Sequence, residues 1–275
     1  MIALLLALQT PTKFIGDEVF TRLLAKSKGW ERLPIGELMG RVGEELLGTP
    51  YVGFTLEHNV DVEVCTVNLK GLDCVTFFES CLGFARMLKK GGRTPEAMLA
   101  EVRFTRYRGG NVGDYSTRLH YTLDWMWDNT VKKVVVPVTG KLPEARPFEF
   151  AVDFMSRKPE NYKQLVRYPQ LIPQIRQLEG KINSRGARFI PIADVAKIEP
   201  KLQTGDILGI TTDGKGIDIS HTGLVYVDTK GVRHFMDASS IHKKVTLEPS
   251  LGAYIGKSKR STGIVVVRPL EVLPD

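Results

Sequence analysis

Long apolar runs are scarce in this sequence, and their scarcity excludes an ordinary helical membrane protein. The run from Met1 to Leu8 is too short to cross a bilayer, and no later stretch is long or apolar enough to do so. Stable membrane insertion is therefore not expected. Residues 1–12 resemble the hydrophobic region of a signal peptide, with no basic residue ahead of it. Export is the expectation, and a short N-terminal core segment is the alternative. Cysteine is also sparse. Cys65, Cys74 and Cys81 are an odd set with no CxxC spacing, which excludes a complete disulfide framework, a zinc ribbon and dithiol redox chemistry. At least one thiol must stay free, as a buried hydrophobe or as a reactive group.

Concentrated positive charge is missing as well, despite a formal net charge of +7. Lys89-Lys90, Lys132-Lys133, Lys243-Lys244 and the Lys257 to Arg260 cluster are short and far apart. None forms a basic arm, and no nucleic-acid-binding signature is present, so nucleic acid is not an expected partner. A scattered positive surplus suits polyanionic surroundings, anionic lipid and the acidic polymers of a bacterial envelope alike, and a solvated basic surface is the plainer reading. There are no repeats and no low-complexity linkers. What is present is an ordinary globular composition, 43% hydrophobic and 25% charged over 275 residues. That is enough chain for one large core with an inserted lobe.

The spacing of apolar residues predicts two helices between Asp17 and Gly48, carried by Val19, Phe20, Leu23 and Leu24, then Leu38, Val42, Leu46 and Leu47. Val60, Val62, Val64 and Thr66 alternate as on a half-buried strand. A loop at Asn68 to Asp73 leads into a helix from Cys74 to about Lys90, which stops at Gly91-Gly92. Thr94-Pro95 opens a further helix. Another is expected over Ser116 to Asn129, and Phe148 to Asn183 is helical but interrupted by prolines. Strands are expected at 206–211, 221–227, 232–238 and 262–267. Helices first and strands later indicate an α+β fold with an antiparallel sheet. The expected organisation is a single catalytic domain over 13–275 with a helical insertion at about 94–185.

A cysteine nucleophile acts as the thiolate, which the partial positive charge at a helix N-terminus favours. Of the three cysteines only Cys74 is placed there, directly after Asp73. Cys65 falls in the alternating segment and Cys81 two turns along the helix, so both belong in the core. Further on, a hairpin runs from His221 to Asp237 around Asp228-Thr-Lys-Gly231. The two residues are an even number of positions apart. A loop confined to 228–230 would put them directly opposite on one sheet face. A carboxylate there can fix the imidazole tautomer and stabilise the imidazolium. His234 has the opposite parity. His58 and His242 lie in loop-like sequence and His120 in a helical aromatic stretch, all suited to surface or satisfied-core roles. A metal site from His221, Asp237 and Cys74 would lack the second histidine that catalytic zinc usually takes, so no metal or cofactor is expected.

Gly48-Thr-Pro-Tyr51, Leu72-Asp-Cys74, Gly205-Asp206, Ser220-His221-Thr-Gly and Asp237-Ala-Ser-Ser240 follow the order seen in the NlpC-type, papain-like cell-wall cysteine peptidases, which the sequence thus resembles. The longer stretches Gly48 to Glu57, Val67 to Glu79 and Arg118 to Trp125 are similar to its N-acetylmuramoyl-L-alanine amidase-like branch. The resemblance spans about residues 34–270. It implies a papain-like core in which a Cys-bearing helix packs on an antiparallel sheet. It also implies Cys74 as nucleophile, His221 as base and Asp237 as the orienting residue, where relatives more often carry His, Asn or Gln. Tyr51 matches a tyrosine that can help the Cys74 amide hold an oxyanion. The implied substrates are peptidoglycan fragments, cut at the amide between (anhydro)N-acetylmuramic acid and L-alanine through a thioester. Glu57, Asn68, Tyr121, Trp125 and Ser220 are the expected substrate contacts, with helix packing the alternative for Tyr121 and Trp125. The competing activities are a γ-D-glutamyl-diaminopimelate endopeptidase, an acyltransferase and a non-catalytic cell-wall binding protein.

Overall fold

The computed structural model describes residues 11–272. Most of the signal-peptide-like segment, Met1 to Thr10, lies outside the described residues. Thr12, assigned to the end of that segment, instead opens strand β1 (Thr12–Ile15), which pairs in parallel with β2 (Cys65–Asn68). The helix α1 (Asp17–Lys26) begins on Asp17 and Glu18 and ends on Lys26, charges matched to its dipole. After it, α2 (Ile35–Glu45) buries Leu38, Met39 and Val42 on one face. The strand expected from Val60 onward is confined to β2. The Asn59 side chain accepts the backbone N–H groups of Asp61 and Val62, and this local turn overrides the apolar alternation, leaving Val62 exposed.

The centre of the molecule is α3 (Cys74–Lys89), in which every residue from Thr76 to Leu88 is buried. It packs against α2 and against α4 (Pro95–Arg106), whose first turn is capped by the Thr94 hydroxyl. Next come α5 (Thr122–Val131), β3 (Val135–Pro137) and β4 (Arg146–Pro147). Three proline-punctuated helices follow: α6 (Phe154–Arg157), α7 (Lys163–Arg167) and α8 (Ile172–Arg185). Then come β5 (Arg188–Pro191), α9 (Ile192–Ile198), β6 (Ile207–Thr212) and β7 (Ile219–Val227). The chain closes with β8 (Arg233–Ser239), β9 (Lys244–Leu247), α10 (Leu251–Ile255) and β10 (Ser261–Pro269).

Strands β4-β5-β10-β6-β7-β8-β9 form one antiparallel sheet in that order, with β3 also on β10. The two-residue period of the strands decides what each face buries. Ile207, Leu224, Met236, Val265 and Val267 join α2 and α3 in the main core. Their neighbours Leu208, Val225, Phe235, Ile264 and Val266 face α9 and α10 in a second core. The fold is thus α+β, with the Cys74 helix on one face of an antiparallel sheet.

The helical insertion expected over 94–185 is narrower. Met98, Val102, Trp125 and Met126 of α4 and α5 belong to the main core, and β3 to the sheet. The separate lobe is α6 to α8, with Met155, Leu165, Ile175 and Ile182 packed on Tyr115 and Tyr121 in a third cluster. Asp218, just before β7, ties α5 to the sheet. It accepts the backbone N–H of Leu123 in the first turn of α5 (2.7 Å) and that of Ile219 (2.8 Å).

Candidate active site

Asp73 caps α3. Its carboxylate accepts the N–H groups of Val75 and Thr76, and the Thr76 hydroxyl accepts the Asp73 N–H in return. This box fixes where the helix starts, so that Cys74 is its first residue and lies in the field of its N-terminus. Cys74 is half-buried, while Cys65 and Cys81 are fully enclosed. Burial pushes the Cys65 thiol up to about 11 and the Cys81 thiol higher still. Neither can ionise near neutral pH.

His221 Nε2 lies 2.7 Å from Asp237 Oδ2. The two residues are on one sheet face, but they are not directly opposite. The ladder pairs Leu224 with Met236 and Val227 with Arg233. Continued outward, this register sets Asp237 across from Gly223 and diagonal to His221. The connection is longer than a loop at 228–230 because Asp228 folds its own turn, accepting the N–H groups of Lys230 and Val232. A two-residue shift preserves side-chain parity, and a diagonal neighbour is still within reach of an imidazole. Gly223 makes the close approach possible, since a Cβ there would sit 2.5 Å from the Met236 carbonyl oxygen.

Asp237 is completely buried, and His221 is largely so. The Thr246 hydroxyl donates to Asp237 Oδ1 (3.1 Å), and the Tyr254 hydroxyl lies 3.5 Å from Oδ2. Phe235 and Tyr254 flank the imidazole at 5.8 and 6.0 Å between ring centres. Burial alone would depress the His221 pKa. The hydrogen bond to Asp237 and the neighbouring Cys74 sulfur outweigh it and raise the imidazole to about 10. The protonated ring is therefore its favoured form. Tyr51 sits close by, half-buried. Its phenol is raised above the ordinary range first by burial and then by Cys74 and Asp73, so it remains a hydrogen-bond donor.

Two adjoining cavities serve this site. One, of about 220 Å³, is lined by Cys74, His221, Ser220, Asp218 and Tyr121. The other, of about 500 Å³, has Phe54, Glu57, Arg118, Tyr162 and Gln164 among its walls. Val75, His120 and Tyr162 belong to both and mark the junction. Ser220 thus reaches the cavity at Cys74, and Glu57 the larger one, where Arg118 and Gln164 hold its carboxylate.

Two expected contacts lie elsewhere in the fold, and a third borders the cavity with its hydroxyl engaged. Trp125 is 2% exposed, donates to Glu79 (3.0 Å) and packs on Phe78, so it is core. Asn68 lines neither cavity, and its side chain accepts the Lys70 N–H to shape the loop before α3. Tyr121 borders the smaller cavity, but its hydroxyl is tied to Glu179 (2.8 Å) and the Met155 N–H inside the lobe. His120 corrects the sequence expectation in the other direction. It precedes α5 rather than lying in a helix, and it lines both cavities. The Arg118 to Trp125 stretch that carried the resemblance contained it, whereas Tyr162 and Gln164 had no sequence signal at all.

A family model described as N-acetylmuramoyl-L-alanine amidase-like matches residues 41–264. The chain belongs to the N-acetylmuramoyl-L-alanine amidase-like family. Among solved structures, it is similar to an N-acetylmuramoyl-L-alanine amidase from Bacteroides uniformis, with 28% identity and a TM-score of 0.78 over 86% of this chain and 98% of that one. A proposed xylanase from Bacteroides fragilis follows, with 30% identity and a TM-score of 0.74 over 82% and 98%. A Legionella pneumophila protein at 19% identity shares the fold alone, with a TM-score of 0.72 over 94% and 97%. No curated protein matches the sequence.

Within this family member the Gly205-Asp206 motif is architectural. Gly205, at φ +85°, presses on Gly36, where a Cβ would meet the Gly36 Cα at 2.3 Å. Asp206 is fully buried and forms two hydrogen bonds with Arg268, at 2.7 and 2.8 Å. Together they anchor α2 and β10 to the start of β6.

Proposed function

We propose that this protein is a cysteine-dependent peptidoglycan amidase with an NlpC-type, papain-like catalytic core, acting outside the cytoplasm. The observation that carries the reading is the buried Asp237–His221 pair beside the half-buried thiol that begins α3. Cys74 Sγ attacks the amide carbonyl, and the Cys74 N–H and the Tyr51 hydroxyl receive the developing oxyanion. Collapse breaks the C–N bond as His221 passes its proton to the leaving amine, and a thioester remains. His221 then takes a proton from water, the hydroxide attacks the thioester, and the thiol is released with a free carboxylate. Asp237, fixed by Thr246, orients the ring throughout.

The proposed bond is the amide between the lactyl group of (anhydro)N-acetylmuramic acid and L-alanine. The family membership supports this choice, as does the second, larger cavity next to the thiol. Mass spectrometry of a defined muropeptide after incubation tests it. A sugar-bearing muropeptide should give the free stem peptide, and the same peptide without sugar should stay intact. Cleavage between D-glutamate and diaminopimelate in the free peptide would establish the endopeptidase activity instead.

A further inference from the structure

The two most exposed large apolar side chains among the described residues are Phe54, at 84%, and Ile241, at 78%. They are far apart in sequence but close in the fold. Residues 48–51 run along the outer edge of β9. The Gly48 N–H donates to the Val245 carbonyl (2.9 Å), the Val245 N–H to that of Thr49 (2.8 Å) and the Tyr51 N–H to that of Lys243 (2.9 Å). This pairing is antiparallel, so the turn that follows Tyr51 lies beside the turn that precedes Lys243. Phe54 occupies the first turn and Ile241 the second. Both turns are built at a cost. Phe54 and Lys243 stand at φ +61° and +59°, two of the three non-glycine residues with left-handed backbone among those described. Neither side chain gains burial in return.

The free charge at these turns is of one sign. Lys243 and Lys244 are exposed. The flanking carboxylates are engaged: Asp73 caps α3, Glu57 holds Arg118, and Glu248 is buried against His242 (3.2 Å) and Lys257 (2.8 Å). Lys243 and Lys244 are thus left without an ionic partner among the described residues. Two protruding apolar tips with a basic collar offer no broad face of the kind a stable protein partner covers, roughly 800 Å² on each side. They suit a lipid surface, where each tip can enter the acyl boundary on its own while lysines meet phosphate at headgroup depth. The catalytic residues stand at the same end of the sheet. Asp237 lies two residues before β8 ends at Ser239, and Tyr51, next to Cys74, lies three before Phe54.

We propose that the paired turns of Phe54 and Ile241 seat on a bilayer containing anionic lipid, with both side chains in the acyl boundary and Lys243 and Lys244 among the headgroup phosphates. The attachment is peripheral and reversible, since only two side chains enter. The placement rests on the amidase reading only in turning the Cys74 site toward that bilayer. Sedimentation of the Cys74→Ala protein with phosphatidylglycerol–phosphatidylcholine vesicles tests it without turnover. Binding should require phosphatidylglycerol and weaken as salt rises. Adding Ile241→Ser should weaken it about tenfold, and Lys243→Gln or Lys244→Gln about fivefold each. Because Ile241 is exposed on a turn, Ile241→Ser alone should keep the wild-type melting temperature and the wild-type muropeptide rate without vesicles. In Ile241→Trp, tryptophan emission should shift to the blue on these vesicles and stay unchanged on phosphatidylcholine alone. Absence of vesicle binding, or equal binding with and without Ile241→Ser, would overturn the proposal. So would Ile241-dependent dimerisation without lipid, which would assign the turns to a second copy, or Ile241-dependent binding of soluble poly(glycerol phosphate) as tight as that of vesicles. The two readings fail separately. Vesicle binding without muropeptide cleavage removes only the amidase activity, whereas cleavage without vesicle binding removes only the docking surface.

Discussion

Replacing Asp237 by Asn keeps the shape of the site and removes the charge that faces His221. The wild-type imidazole is raised from 6.5 to about 10 against the opposing effect of burial. At about 1.4 kcal/mol per pKa unit, the shift corresponds to on the order of 5 kcal/mol of net preference for the imidazolium, shared between Asp237 and Cys74. Because the folded pKa lies above the unfolded one, this stabilisation is complete below about pH 6.5 and is lost as pH rises through about 10. In Asp237→Asn the burial penalty remains while its largest counterweight is gone, so His221 should fall to near neutrality or below. Three results follow. The alkaline limb of kcat/KM should move from near pH 10 to near pH 7, and its maximum should fall by about a hundredfold or more. The variant should be a few kcal/mol less stable at pH 7, with the two proteins converging at about pH 11. Rates across this pH range, with urea titrations at both ends, measure all three. An unmoved alkaline limb would show that Asp237 does not govern the protonation of His221.

Iodoacetamide at neutral pH should label Cys74 well before Cys65 or Cys81, since burial holds the other two thiols protonated; peptide mapping that found either labelled first would remove Cys74 as the reactive group. Trp125→Ala should cost about 3–5 kcal/mol of stability and leave KM unchanged, because the ring is core; a selective rise in KM without destabilisation would return it to the cleft. Gly223→Ala should lower kcat and the melting temperature together, because its methyl group would force β7 and β8 apart between His221 and Asp237. Crystals of that variant with an unmoved His221–Asp237 pair would contradict this explanation.

Much of the architecture is written in local patterns. Asp73 and Thr76 announce the start of α3, and the alternation along 207–212, 219–227 and 261–269 announces the central strands. What escapes the sequence is set by distant partners. The hairpin register depends on how Asp228 folds its turn, so parity was legible and the exact pairing was not. Trp125 looks like a cleft residue until Glu79, on another helix, is seen to take its indole N–H. Glu79 also pairs with Arg106 inside the core, a buried ion pair that no spacing rule would find. His120 was legible as a residue but not as a cavity wall, because the Tyr115 carbonyl and the lobe residue Tyr162 place it there. Short edge strands such as β3 and β4 are made by their pairing rather than by their composition.

The central claim is that Cys74 forms a covalent acyl intermediate with the substrate. Acid quenching during turnover of a muropeptide, followed by mass spectrometry of the peptide containing Cys74, tests it most directly. The expected result is a mass increase equal to the muramyl acyl group on Cys74, absent from Cys74→Ala, which should release no stem peptide. Stem peptide released by Cys74→Ala at the wild-type rate, with no adduct on Cys74 in the wild type, would contradict it.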